Sequence, residues 1–254
     1  MTSYVDVFKR KEMKYVLSGE QRQILETSII EHLVLGEFSD SKVLSLYYDT
    51  PDFALIERSL DKPFYKEKLR LRVYGEPSVL APAFVEVKKK YEGVVYKRRV
   101  ALSLRGAQAF LGGSTYEKAC RAFPLLDRES QALSLSPHTL QIAREIEFMM
   151  QRHGTLEPSI LTACERRAYI DPAGGELRIT FDGQLSCAYN ARSVFDAHDM
   201  VPLLYPTQSI MEVKNAGPLP FWLVQALNAA KAYPQSFSKY GHAYMNLRKD
   251  DKSA

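Results

Sequence analysis

Residues 66–72 read KEKLRLR. Every second residue, Lys66, Lys68, Arg70 and Arg72, is basic, while Leu69, Leu71 and Val73 take the other parity. Successive side chains of a β-strand point to opposite faces. As a strand, the stretch carries four positive charges on one face and mostly apolar groups on the other. Like charges on one sheet face repel, so the face needs a reason to exist.

The same alternation returns along the chain. Residues 9–17 put Arg10, Glu12 and Lys14 on one parity and Met13, Tyr15 and Leu17 on the other. Residues 83–90 set Glu86, Lys88 and Lys90 against Val85 and Val87, and residues 93–102 group Val95, Lys97 and Arg99. Residues 159–170 include Arg166. Residues 176–183 oppose Arg178, Thr180 and Asp182 to Leu177, Ile179 and Phe181, and 209–215 oppose Glu212 and Lys214 to Met211 and Val213. With the Val-, Leu- and Tyr-rich run at 43–50, about eight strands are expected from this period of two. Gly93 after KKKYE, and Asp171-Pro-Ala-Gly-Gly175, supply turn chemistry for two hairpins.

Helices interrupt the strands. Ser18 with Gln21 reads as a capping box opening a helix over 19–35, with Ile24, Leu25, Ile29 and Leu33 as its buried stripe. Thr50-Pro51 opens a short helix through Leu60. Residues 105–152 lack strand alternation and read as a mainly helical insertion broken near Pro124 and Pro137. Two C-terminal helices are expected over 218–231 and 237–248, with Phe221 and Trp222 in the core. The expectation is one domain over 1–254 with no linker or repeat.

Composition narrows the class. The 254 residues are 46% hydrophobic and 25% charged, which is globular rather than disordered. A net charge of +4 is mild, so a strong anion site must come from local concentration. There is no signal-peptide core and no run of membrane-spanning length. Cys120, Cys164 and Cys187 are odd in number and widely spaced, which suits reduced thiols and a cytoplasmic location. The histidines show no metal spacing, and no P-loop or nucleophile-elbow motif is present.

Collected by parity, one face holds Arg10, Lys14, Lys66, Lys68, Arg70, Arg72, Lys88, Lys90, Lys97, Arg99, Arg166, Arg178 and Lys214 with only Glu12, Glu86, Asp182 and Glu212. A solvated face mixes signs and uses neutral polar residues freely, whereas this one is dominated by cations. Helices covering the apolar face would make an inverted barrel. The expected fold is therefore α+β: an eight-stranded antiparallel closed β-barrel with a charged lumen and helices packed outside. Such a lumen suits a phosphate chain, because arginine forks pair with phosphate oxygens and lysines add compact charges. It is too narrow for a duplex, so nucleic acid is not an expected partner.

Nine segments follow one another in order: RKEMKY (10–15), YYDT (47–50), KLRLRVYG (68–75), FVEVKKK (84–90), YKRR (96–99), RRAY (166–169), LRITFD (177–182), MEVKNAGPLP (211–220) and SFSKY (236–240). Together they resemble the triphosphate tunnel metalloenzymes, and most closely their VTC branch, the polyphosphate polymerase domain. The resemblance covers nearly the whole chain. It implies transfer of the terminal phosphoryl group of ATP to polyphosphate with Mn²⁺ or Mg²⁺. It also implies that Lys14, Arg70, Arg72, Lys88, Lys97, Arg99, Arg166 and Lys214 bind phosphates, that Lys239 lies near the tunnel, and that Glu212 binds metal. Parity alone adds Arg10, Lys66, Lys68, Lys90 and Arg178 to the substrate face. Glu12 and Glu86 are further metal candidates, Glu86 also suiting a counter-ion, and Asp182, just before Gly183, suits a turn at least as well as a role in the site.

The chain departs from the superfamily's E-x-E-x-K signature, with Arg10 in place of the first glutamate, which favours the VTC branch over hydrolytic members. Cys164 stands where the family's Y-x-R motif has a tyrosine. The regulatory SPX domain and membrane helices of the eukaryotic polymerase are not in this sequence, so export of product would need a separate membrane protein. Two alternatives stay open: a tripolyphosphatase or nucleoside triphosphatase of the same fold, and a non-catalytic polyphosphate-binding module.

Overall fold

The computed structural model describes residues 11–37, 39–92 and 94–250. Along the chain run β1 (Lys11–Leu17), α1 (Gly19–Ile30), β2 (Val34–Leu35), β3 (Ser41–Asp49), α2 (Ala54–Leu60), β4 (Tyr65–Tyr74), β5 (Pro82–Tyr91) and β6 (Val94–Ser103). Then come α3 (Leu104–Leu111), α4 (Tyr116–Ala122), α5 (Arg128–Ser134), α6 (Pro137–His153), β7 (Glu157–Ile170), β8 (Arg178–Tyr189), β9 (Val201–Pro202), β10 (Ser209–Asn215), α7 (Phe221–Ala229) and α8 (Lys239–Asp250). All eight expected strands form, and β2 and β9 are short additions.

The chain divides into two compact units. The first comprises the described residues of Met1–Ser41 together with Cys164–Leu185 and Leu204–Ser238. Its strands lie in the order β1-β10-β8-β7, with β2 on β7. The registers Lys14↔Glu212 and Glu212↔Thr180 align the polar parity of three strands. Their apolar parity, including Tyr15, Leu17, Ile179, Phe181, Met211 and Val213, packs against Leu25 and Ile29 of α1 and Leu223 and Leu227 of α7.

The second unit comprises Lys42–Ala163, Ser186–Leu203 and the described residues of Lys239–Ala254. Its strands lie in the order β7-β3-β4-β5-β6, and β9 pairs β8. Leu69, Leu71, Val73, Val85, Val87, Val100 and Leu102 pack against Ala107 and Phe110 of α3, Tyr116 and Ala119 of α4, and Ile146 and Met149 of α6. Burying each large side chain contributes about 1.5–3 kcal/mol. The helical insertion thus covers the apolar face, as expected.

The α+β class and the antiparallel sheet hold. As paired, β1 is terminal in the first unit and β6 in the second. Closure into a barrel is therefore an expectation that the described pairings do not include.

Local signals explain the boundaries and four departures. Ser18 and Gln21 exchange both capping bonds, at 3.2 and 3.0 Å. The helix they start ends at Ile30 rather than 35, because the last turn tightens, with His32 N–H donating three residues back to Ile29 O, and Val34 joins β7. Ile24, expected in its buried stripe, is exposed. Phe221, expected in the core, is 75% exposed, while Trp222 stacks on His32 at 4.3 Å. Asp182 is not a turn residue, since β8 runs on to Tyr189. Asp171 caps the β7–β8 hairpin by accepting from Ala173 N–H at 2.8 Å, and Gly174 takes φ +75°. Gly93 lies outside the described residues.

Candidate phosphate-binding faces

In the second unit the basic parity of β4 meets that of β5 and β6. Glu86 is its centre, a carboxylate 1% exposed. Arg70 reaches it through Nε at 2.7 Å and Nη2 at 2.6 Å, Lys97 Nζ at 2.6 Å, and Arg72 Nε at 3.9 Å. Burial raises the Glu86 pKa, but Arg70, Arg72 and Lys97 outweigh it and hold the group at about 2. Lys97 is brought down to about 8 by its partial burial and by Arg70 and Arg72, against the pull of Glu86. Arg72 donates to Ser45 Oγ at 3.1 Å, and the Arg99 guanidinium lies 4.9 Å over the Phe84 ring.

Strand β3 completes this face with Ser45, Tyr47 and Asp49. Arg70 Nη1 donates to the Tyr47 hydroxyl at 3.4 Å. Burial raises the Tyr47 phenol, but Arg70, Arg72 and Lys68 overcome it and bring it to about 8. The Tyr47 ring stacks on Tyr240 of α8 at 4.4 Å. Tyr240 donates to Asp49 Oδ2 at 2.7 Å and lies 3.1 Å from Ser159 Oγ, which donates to the Tyr47 carbonyl at 3.0 Å. Asp49 also accepts from the backbone of Thr50, Leu55 and Ile56 at 2.8–3.0 Å, capping α2. Lys68 Nζ lies 5.9 Å from the Tyr240 ring centre. Lys239 is the first residue of α8, directly before Tyr240.

Tyr240→Phe keeps the stack and removes the bond to a buried carboxylate. A loss of about 1–3 kcal/mol is expected, read by urea unfolding. A change below about 0.5 kcal/mol, the scale of an ordinary surface substitution, would mean the hydroxyl is dispensable.

Not every basic residue is compensated by its cross-strand neighbour. Lys66 faces Lys90 and Lys68 faces Lys88, which in turn faces Lys97. Two ammonium groups about 5 Å apart in water repel by about 1 kcal/mol. In the second row that repulsion is offset in part by the 2.6 Å contact of Lys97 with Glu86.

In the first unit Lys14 Nζ lies 3.2 Å from Glu212 and 3.5 Å from Glu12, and Lys214 Nζ lies 3.7 and 3.9 Å from the same carboxylates. Lys14 also donates to the Phe237 carbonyl at 3.2 Å. Arg166 grips Asp182 with two bonds of 2.6 and 2.7 Å. Burial opposes the Arg166 charge, but Asp182 and then Glu212 raise its pKa above the ordinary arginine value. Thr180 Oγ1, opposite Glu212 in register, is buried without a hydrogen-bond partner among the described residues. Arg178 is exposed and faces Lys214, and Arg10 lies outside the described residues.

Sequence reading passed over several of these groups. Ser45, Tyr47 and Asp49 share the parity of the basic face and were legible as such in 43–50. Tyr240 carries no such signal, because its role depends on where α8 begins. Glu67 sits on the apolar parity of β4, 4% exposed, and binds Tyr65 at 2.6 Å, His153 at 2.5 Å and Arg152. It ties α6 to β4 and takes no part in the basic face.

Among the described residues no group of three or more His, Cys, Asp and Glu is arranged to hold a metal. Two carboxylates, Glu12 and Glu212, share the same pair of lysines, with the unpartnered Thr180 hydroxyl opposite one of them. That donor set suits a hard cation completed by phosphate oxygens, since Mg²⁺ and Mn²⁺ are commonly held by one or two carboxylates plus substrate.

A family model for the VTC domain matches residues 9–248. The vacuolar transporter chaperone complex subunit 4 of Trypanosoma brucei brucei is 25% identical over 280 residues, covering 95% of this chain and 35% of that protein. The subunit 4 of Schizosaccharomyces pombe is 28% identical over 193 residues, covering 70% of this chain and 26% of that protein. The chain thus spans about a third or less of the length of these relatives. Among solved structures, the Hippeastrum protein HpAC1, described as revealing a dominant triphosphatase activity, aligns with a TM-score of 0.47 at 15% identity, covering 90% of this chain and 92% of that one.

Proposed function

The chain belongs to the VTC domain family, and from that premise we propose that it transfers the terminal phosphoryl group of ATP onto a growing polyphosphate chain. The observation that carries the reading is the gathering of Arg70, Arg72 and Lys97 around the single buried carboxylate of Glu86. Glu86 then serves as the counter-ion that keeps these cations ordered, rather than as a metal ligand. Phosphoryl transfer asks little covalent chemistry of a protein and much positioning and charge neutralisation. Arg70 and Arg72 offer planar forks to phosphate oxygens, and Lys88, Lys97 and Arg99 offer further donors on the same strands. Lys14, Lys214 and Arg166 do the same in the first unit, with Asp182 holding Arg166 in one orientation. The family match over residues 9–248 spans both units and supports treating them as one functional domain.

Glu12 and Glu212 would hold Mg²⁺ or Mn²⁺. When bound, such an ion neutralises charge on phosphate oxygens as a Lewis acid. The relatives are named as subunits of a vacuolar transporter chaperone complex. By extension, a separate membrane protein would carry the product of a cytoplasmic reaction away. Among the described residues no helix is long and apolar enough to cross a membrane.

The test is to incubate the pure protein with ATP and either metal, and to resolve ADP, free phosphate and polymer. ADP matched by an acid-labile polymer is expected, and no turnover without metal. Glu212→Gln should make no polymer yet still bind tripolyphosphate. Release of free phosphate alone would replace the polymerase reading with a hydrolytic one. Binding without turnover under either metal would leave a binding module.

A further inference from the structure

The register of β4, β5 and β6 sorts their basic face into rows. The row nearest the β5–β6 turn is Lys66, Lys90 and Val95, and the next is Lys68, Lys88 and Lys97. Then come Arg70, Glu86 and Arg99, followed by Arg72, Phe84 and Ala101. The only carboxylate at these positions is in the third row. The first two rows hold five lysines and no acid.

The two kinds of row differ in what they ask of a ligand. An arginine fork fixes the angle of the phosphate it binds, whereas a lysine is a point charge with rotatable donors. Two strand residues advance about 6.5–7 Å, so the lysine rows carry positive charge well beyond the Arg70 row without imposing one geometry. The outermost row also reaches solvent: Lys90 and Val95 are exposed. Lys66 is held by a 3.0 Å bond from Nζ to the Ser59 carbonyl. No carboxylate pairs with Lys90 among the described residues. Partial burial, then Lys90 and Lys62, lower the Lys66 pKa, as expected where no anion compensates it.

We propose that Lys66 and Lys90 form a subsite for the distal phosphates of a chain longer than a triphosphate, so that this end of the strands sets preference for chain length. The inference rests on the phosphate-chain reading above and deepens it. A triphosphate held at the arginine rows does not need the outer row. A long polyanion running along the strands passes over it.

The test compares Lys66→Gln/Lys90→Gln with the wild type in calorimetric titrations of sodium tripolyphosphate and of long-chain polyphosphate, at several salt concentrations. Long-chain affinity should fall by about tenfold and tripolyphosphate affinity by less than about twofold. A polyanion releases about one counterion per charge neutralised. The salt slope for the long chain should therefore become shallower by nearly two, and the slope for tripolyphosphate should not change. Lys90→Gln alone leaves the Lys66–Ser59 bond intact and should shift the long-chain slope by about one. Equal losses for both ligands, or an unchanged long-chain affinity and slope, would overturn the inference while leaving the phosphate reading in place. A wild type that binds tripolyphosphate but not the long chain would do the same. A wild type that binds neither would overturn both.

Discussion

Asp182→Ala is expected to destabilise the protein by about 3–5 kcal/mol, the usual result of leaving a buried charge without its partner. Asp182 is fully buried and meets Arg166 through two short bonds. Removing the carboxylate leaves the guanidinium, itself largely buried, facing Glu212 as its next compensating charge. For a chain of this length each kcal/mol lowers Tm by about 2–4 °C, so a fall of roughly 10 °C is expected. The diagnostic control is Asp182→Leu combined with Arg166→Met. Replacing both members of a buried pair by apolar groups is often neutral or better, so the double variant should recover most of the loss while losing phosphate binding in the first unit. Urea unfolding decides the matter. A loss under about 1 kcal/mol for Asp182→Ala would mean that Arg166 relaxes into solvent and is not fixed by this pair.

Glu86→Ala should produce a comparable loss with a different signature. It removes the counter-ion shared by Arg70, Arg72 and Lys97, and about 3–5 kcal/mol is again expected. Here an anionic ligand can replace the missing charge. A ligand at a hundred times its Kd stabilises by about 2.7 kcal/mol, and tripolyphosphate should raise the Tm of the variant by more than it raises that of the wild type. Equal shifts would show that the ligand does not sit among these cations. The pH dependence follows from the same carboxylate. Its folded pKa, about 2, lies below its ordinary value of 4.5. Its contribution is therefore complete above about 4.5 and is lost as pH falls towards 2. Two and a half units correspond to about 3 kcal/mol. The wild type should lose that stability across the window, and Glu86→Ala should lack this part of the slope.

Much of this was legible because strands with one covered face enforce a strict period of two. The parity of KEKLRLR was enough to place Arg70 and Arg72 with Glu86, and the parity of 209–215 to place Glu212 with Lys214. What failed did so where a local signal competed with tertiary placement. Leu33 continues the helical apolar period of 19–30 and is buried, yet the backbone has already left the helix. Gly183 looked like a turn after Asp182, but in the interior of β8 it leaves room for Arg22, whose Nη1 lies 3.3 Å from where a Cβ would stand. Phe221 opens an apolar helix and nonetheless faces out, because Leu223, Ala226 and Leu227 are the residues buried in the core. The Tyr47–Tyr240 stack joins residues nearly two hundred positions apart, which no periodicity reports.

The Asp49 carboxylate joins segments far apart in the chain. It ends β3, accepts from the Leu55 and Ile56 amides in the first turn of α2, and takes the hydroxyl of the second residue of α8. Helix ends normally fray first, because their outermost amides and carbonyls lack partners. Here the opening turn of α2 and the opening turn of α8 hang on one anion. Loosening either turn takes donors from a buried carboxylate that the other turn also uses. The cost of opening one is thus raised by the other's hold on the same anion, and the aromatic side of the basic face is tied together although it is assembled from distant parts of the chain.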